Sequence, residues 1–231
     1  MCNDACVSFG LTQLLREDVR GKDLLEIGAC NVNGSLRQAM LELEPTSYIG
    51  TDIADGPGVD DVCNVVDLAA RYGPNRFDVV ICTEMLEHVR DWRAAVSNMK
   101  GVLRPGGVML ITTRSKGFHY HGYPFDYWRY ELADFRHIFG DFEVEALEAD
   151  PTAPGVFMKA RRPAMFVERD LTTYQLYSIV SKRSCRTISN SDIALLRFKH
   201  STRNFLSAIV PSPMKALARS LFPTISRAWR D

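Results

Sequence analysis

Leu24-Leu25-Glu26-Ile27-Gly28-Ala29-Cys30-Asn31-Val32-Asn33-Gly34-Ser35 reads as an apolar strand ending in an acid, then a glycine turn, then a helix start near Gly34 and Ser35. Gly28 permits a tight turn and a close approach of a ligand to the backbone. The turn lacks the GxGxxG spacing of a dinucleotide loop, because positions 30 and 32 are Cys and Val. A negative charge beside the turn disfavours a pyrophosphate at the helix start. Glu26 instead suits a cationic group.

Outward from this turn, apolar β-branched runs recur with helical patterns between them. The runs 23–28, 48–53, 62–66, 77–83, 107–113, 142–149 and 155–161 are expected strands. Unbroken runs such as Val79-Val80-Ile81-Cys82 and Val108-Met109-Leu110-Ile111 suit strands buried on both faces of a parallel sheet. Helices are expected over 8–19, 34–43, 90–103 and 131–139. Strands alternating with helices predict a doubly wound α/β fold with a mostly parallel seven-stranded sheet. In such a sheet ligands bind at the carboxyl ends of the strands, where the strand order reverses. Asp52, ending the second strand, is placed to accept bonds from ribose hydroxyls. Asn64, Asp67 and Leu68 follow the third strand, where an adenine edge could be read.

At 231 residues the chain is long enough for one domain with an extension. Its 46% apolar and 24% charged composition is that of a globular protein. No apolar run approaches the ~20 residues needed to span a bilayer, and the first residues carry no basic-then-apolar leader pattern. Six scattered cysteines without CxxC pairs point to reduced thiols and a cytoplasmic setting.

Lys+Arg and Asp+Glu balance at 28 each, but unevenly along the chain. Residues 1–163 hold 17 basic and 24 acidic side chains, and residues 164–231 hold 11 and 4. The domain is expected to close at Arg161-Arg162-Pro163. Beyond it lies a basic helical extension, with helices over 165–186 and 190–208 and an amphipathic piece over 214–222. Such a tail could lie on an anionic membrane surface, dock on the acidic domain, cover a substrate or form a homodimer contact. Specific nucleic-acid binding is not expected, because the charge is spread and aromatics are sparse among it.

Two further clusters carry chemistry. On a helix, Glu84, Glu87 and His88 would share one face and could hold a divalent cation such as Mg2+. The stretch Phe118-His119-Tyr120-His121-Gly122-Tyr123-Pro124-Phe125-Asp126-Tyr127-Trp128-Arg129-Tyr130 is read as a loop. Its aromatic rings with polar tips suit a pocket for a small polar, sugar or glycan-type acceptor. His119 and His121 are candidate general bases, with Asp126 beside them; either could instead complete a metal site with Glu84, Glu87 and His88. The alternative is packing under a loop, with Asp126 and Arg129 paired structurally.

Taken in order, the segments around Glu26-Ile27-Gly28, Asp52, Asn64 to Leu68, Thr83-Glu84 and Leu103-Arg104-Pro105-Gly106-Gly107 resemble class I S-adenosylmethionine-dependent methyltransferases. The resemblance spans roughly residues 20–163 and implies a Rossmann-like fold with S-adenosyl-L-methionine as cofactor. It implies that Glu26, Gly28 and Ala29 hold the methionine part and that Asp52 and Ile53 lie at the ribose. It further implies that Asn64, Asp67 and Leu68 flank the adenine, and that Thr83 and Glu84 lie beside the cofactor. The usual second and third loop glycines are absent, replaced within Cys30 to Gly34. The Glu84-to-His88 string resembles the ExxEH element of ubiquinone-pathway and small-RNA O-methyltransferases, where those positions bind magnesium. In metal-independent members a Glu-His pair of this kind touches the cofactor and packs locally. Stretches like His121 to Tyr130 occur in bacterial members of the family. Methylation of oxygen is the leading expectation; methylation of nitrogen or carbon, and a non-catalytic binding module, are the alternatives.

Overall fold

A computed structural model describes residues 3–32, 34–122 and 125–198. Ten strands form in chain order: β1 (Asp23–Ile27), β2 (Ser47–Asp52), β3 (Asp61–Val62), β4 (Phe77–Thr83), β5 (Leu103–Arg114), β6 (Trp128–Arg129), β7 (Glu143–Ala149), β8 (Gly155–Arg161), β9 (Leu176–Ser178) and β10 (Arg183–Cys185). The helices are α1 (Asp4–Gln13), α2 (Arg16–Val19), α3 (Arg37–Leu41), α4 (Leu68–Tyr72), α5 (Trp92–Val102) and α6 (Leu132–Ile138). Six of the expected strands form; the one expected over 62–66 is reduced to β3 at Asp61–Val62, because Val65–Asp67 turns as a 3-10 helix, and the seven strands make one sheet in the order β3-β2-β1-β4-β5-β8-β7. From β3 to β5 the pairs are parallel, and β8 runs antiparallel to both β5 and β7. The order reverses between β1 and β4, which places the carboxyl ends of those strands at the ligand edge.

Side chains alternate across a strand, so one apolar run feeds two cores. Leu25, Ile27, Val80, Cys82, Met109 and Ile111 pack on one face with Trp92, Val96 and Met99 of α5. Leu24, Val79, Ile81, Val108 and Leu110 pack on the other with Phe9 of α1, Leu36 and Met40. Burying both faces explains why β4 and β5 read as continuous rather than alternating apolar runs.

Three further expectations are corrected. The helix expected over 8–19 breaks at Leu14 and Leu15. The break lets Lys159 reach both the Gln13 carbonyl at 2.9 Å and Asp18 at 2.8 Å. The stretch read wholly as loop contributes β6, which joins a second sheet in the order β10-β9-β6. Residues 165–186 are not a helix: they carry β9 and β10. The carbonyls of Leu171, Tyr174 and Arg186 accept from Arg93, and of the three Leu171 also closes a single turn with the Tyr174 amide at 3.1 Å. Leu176 and Ser178 alternate inward while Tyr177 lies half-buried between them, a strand's period. Residues 190–198 are helical, as expected for the start of 190–208. The remainder of that helix, the 214–222 piece and the rest of the basic tail fall outside the described residues. Among the described residues no helix is long and apolar enough to cross a membrane.

Candidate active site

Register fixes the level of the ligand edge. Ile27 lies opposite Thr51 and Cys82, and Thr83 opposite Thr112. The residues that follow, Gly28, Asp52 and Glu84, therefore emerge side by side. Gly28 turns the chain at φ 76°, and a Cβ there would lie 2.7 Å from the Met85 side chain. The amides of Gly28 and Ala29 both donate to the Thr51 carbonyl, at 2.9 and 3.1 Å. Glu26, 2% exposed, accepts from the Tyr48 hydroxyl at 2.8 Å and from Ser35 Oγ at 3.4 Å. Burial pushes its carboxyl above the usual range, and those two hydroxyls partly offset this.

Asp52 bridges two strand ends. Its Oδ1 accepts from the Ile53 amide at 2.7 Å and its Oδ2 from the Cys30 amide at 3.2 Å. A carboxylate has about four acceptor positions, so capacity for a diol remains. Ile53 is exposed beside it, Asn64 caps the turn at Val65–Asp67, and Asp67 is exposed. Leu68 points into the core rather than toward the edge. This donor set, acids flanking a backbone turn at the switch point, fits an adenosyl amino acid.

Sequence reading overlooked Gly56-Pro57-Gly58. This loop lies against the glycine turn, with the Asn31 amide donating to the Pro57 carbonyl at 2.7 Å. A Cβ on Gly50 would stand 2.2 Å from the Gly58 carbonyl oxygen. Arg37 fastens the loop through paired bonds to Asp60 at 2.6 and 2.9 Å. The Gly-Pro-Gly triplet was the available signal.

The acceptor side departs from expectation in one respect. Glu84 does not open a helix; it sits at φ 54°, a left-handed conformation unusual for a residue with a Cβ. That turn aims its carboxylate at Arg114, which also pairs with Asp150 at 2.9 Å. Glu84 is thus separated from Glu87 and His88, which follow in a 3-10 turn over Leu86–His88.

Glu87 and His88 meet His121 instead. The three place one ligand-type atom each within 4.8 Å of one another. Glu87 Oε2 accepts from Thr113 Oγ1 at 2.8 Å, leaving Oε1 facing His121 Nε2 at 3.4 Å and His88 Nε2 at 3.9 Å. His88 Nδ1 lies 2.7 Å from the Phe125 carbonyl oxygen. A carbonyl only accepts, so Nδ1 carries a proton, and Nε2 is the ring nitrogen on the Glu87 side. His121 Nδ1 lies 2.9 Å from Asp126 Oδ2. Asp126 is buried and grips Arg129 through contacts of 2.5 and 2.6 Å. Arg129 Nη2 also donates to the His119 carbonyl at 3.0 Å. Burial disfavours a charged His121, but Asp126 and Glu87 outweigh it and lift the ring to about 9.

Two imidazoles and a carboxylate, each turned by a partner on its far side, are a group that could hold a divalent cation. His119 is not part of it; its exposed ring stacks on Phe118 at 4.6 Å. Tyr123 and Pro124 lie outside the described residues.

Comparison with known proteins follows this geometry. A family model described as a methyltransferase domain matches residues 7–148. The chain belongs to that family. S-adenosyl-L-methionine is its cofactor, and the match makes it a class I methyltransferase. The ubiquinone biosynthesis O-methyltransferase of Idiomarina loihiensis is 32% identical over 123 residues, covering 48% of this chain and 49% of the relative. The enzyme of that name from Neisseria meningitidis serogroup C is 32% identical over 113 residues, covering 43% and 47%. This methyltransferase spans about half the length of the curated relatives it matches.

Solved structures show the same fold. The 1,6-didemethyltoxoflavin-N1-methyltransferase of Burkholderia thailandensis has a TM-score of 0.57 at 18% identity, covering 70% of this chain and 80% of that one. An S-adenosylmethionine-dependent methyltransferase from Mesorhizobium loti has a TM-score of 0.56 at 14% identity, covering 69% and 99%.

Proposed function

We propose that this chain transfers the methyl group of S-adenosyl-L-methionine to an oxygen of a small polar or sugar/glycan-type acceptor, with a divalent cation held by Glu87, His88 and His121. The observation that carries the reading is the convergence of those three side chains at the carboxyl edge of β4 and β5. The resemblance to O-methyltransferases over the matched half supports the choice of oxygen. The reading includes a cytoplasmic location, supported by the scattered cysteines.

The cofactor's sulfonium supplies an already activated methyl group, so the chain's task is alignment and removal of one proton. Asp52 would hold the ribose hydroxyls through its remaining lone pairs, and Glu26 would meet the amino end. A cation at the three ligands would polarise the acceptor hydroxyl and lower its pKa. Asp126 fixes the His121 tautomer, and Arg129 fixes Asp126. Phe118 and the stacked His119 form the outer wall against which an acceptor ring would lie. Mg2+ prefers an all-oxygen shell, whereas two imidazoles suit Mn2+, Co2+ or Zn2+ better.

Calorimetric titration with S-adenosylhomocysteine, alone and with Mn2+ or Mg2+, tests both halves. Micromolar binding supports the cofactor half, and Mn2+ binding that disappears in Glu87→Gln supports the cation half. Absence of the first sinks the enzyme reading; Mn2+ binding unchanged by Glu87→Gln sinks the ligand set.

A further inference from the structure

Arg93, in the first turn of α5, is not part of the ligand edge. Its guanidinium donates to three backbone carbonyls from one stretch of chain: Leu171 through Nε at 2.7 Å, Arg186 through Nη1 at 2.6 Å, and Tyr174 through Nη2. These carbonyls bracket β9 and β10. The Trp92 ring lies under the same guanidinium at 4.5 Å from its centroid. A planar guanidinium spreads its fixed donors over three separated carbonyls, whereas an ammonium gathers its three donors at one nitrogen.

The stretch that Arg93 fastens reaches the acceptor side. Between the clamped carbonyls, β9 pairs with β6, Trp128 opposite Ser178 and Arg129 opposite Tyr177. The Ile179 amide donates to the Tyr127 carbonyl at 3.0 Å. Arg129, on β6, grips Asp126, and Asp126 meets both the amide and the ring of His121. The contacts therefore run without a gap from Arg93 through residues 171–186 to His121.

We infer that residues 171–186 are a strap that positions the His121-bearing loop, and that Arg93 is the positioning residue fastening it. Arg93 touches neither acceptor nor cofactor; it acts by holding β9, which holds β6. The inference rests on the reading that His121 serves the acceptor side, but its test does not depend on a cation being bound.

The chain has five histidines, so their imidazole nitrogens can be followed in the 15N-labelled full chain, with His121→Gln identifying the His121 signals. Arg93→Ala and, independently, Ile179→Pro are expected to shift or broaden the His121 signals. S-adenosylhomocysteine affinity should stay within about threefold of wild type. Arg93→Lys is expected not to restore the signals. Wild-type His121 signals in Arg93→Ala overturn the inference. So does a parallel loss of cofactor affinity, which would make Arg93 a general stability element. Failure of wild type to bind Mn2+ would remove the cation reading alone, because the imidazole signals report the strap without it.

Discussion

The two halves of the ligand edge are built differently. On the cofactor half, the backbone does most of the holding: Gly28 and Ala29 donate to Thr51, Asn31 donates to Pro57, and Asp52 accepts from two amides. On the acceptor half, side chains from four separated segments hold one another: Glu87 and His88, Thr113 and Arg114, His121, and Asp126 with Arg129. Backbone bonds do not depend on which side chain is carried, except at Gly28 and Gly50, where a Cβ would collide. A buried array of charges does, because removing one partner strands another.

The largest test of that contrast is Arg129→Met. It leaves Asp126 buried with only His121 to balance it, and destabilisation of about 3–5 kcal/mol is expected in urea unfolding. A cost under about 1 kcal/mol would mean the array is not a tight unit. Glu87→Gln is expected to lower Mn2+ affinity about 100-fold while S-adenosylhomocysteine affinity stays within threefold; equal losses in both would erase the division into halves. Asp52→Ala should weaken S-adenosylhomocysteine by ~1–3 kcal/mol, the range for leaving buried polar partners unmatched. Unchanged affinity would remove Asp52 from the ribose.

Smaller effects are expected away from both halves. Burial works against ionised Asp18, but Lys159 and Arg161 hold its carboxyl below the usual range. A depressed folded pKa contributes stability that is complete above the unfolded value of about 3.9 and is lost as pH falls through the folded value. Asp18→Asn should therefore flatten the acid limb of a stability–pH curve and leave the protein less stable near neutrality. His119→Ala, at an exposed ring, should shift stability by less than about 0.5 kcal/mol in the same unfolding assay.

What was legible follows the same division. The buried strands β1, β4, β5 and β8 could be read because each is a local apolar run, whereas β3 met its expected 62–66 only at Val62; the glycine turn and Asp52 could be read because they end strand runs. Glu84 misled because helical spacing assumes right-handed backbone, and its positive φ turns the carboxylate toward Arg114. His121 could be offered as a partner of Glu87 and His88 but not chosen over His119, since its contact with Asp126 exists only once the sheet brings β4 and the following loops together. Residues 165–186 read as helix because tertiary partners, Arg93 above all, decided their backbone. Local pattern carries no record of an arginine 78 to 93 residues earlier in the chain.

The rims of the large sheet bear on how copies of this chain can meet. One rim is β3, only two residues long; the other is β7, whose exposed positions include Glu143, Glu145 and Glu148. A strand added to the short rim would find almost no ladder to join. One added along β7 would set its own copy of those acids against them if the copies met antiparallel. Among the described residues, the short β3 and the acids along β7 thus disfavour strand-by-strand association at either rim of this sheet.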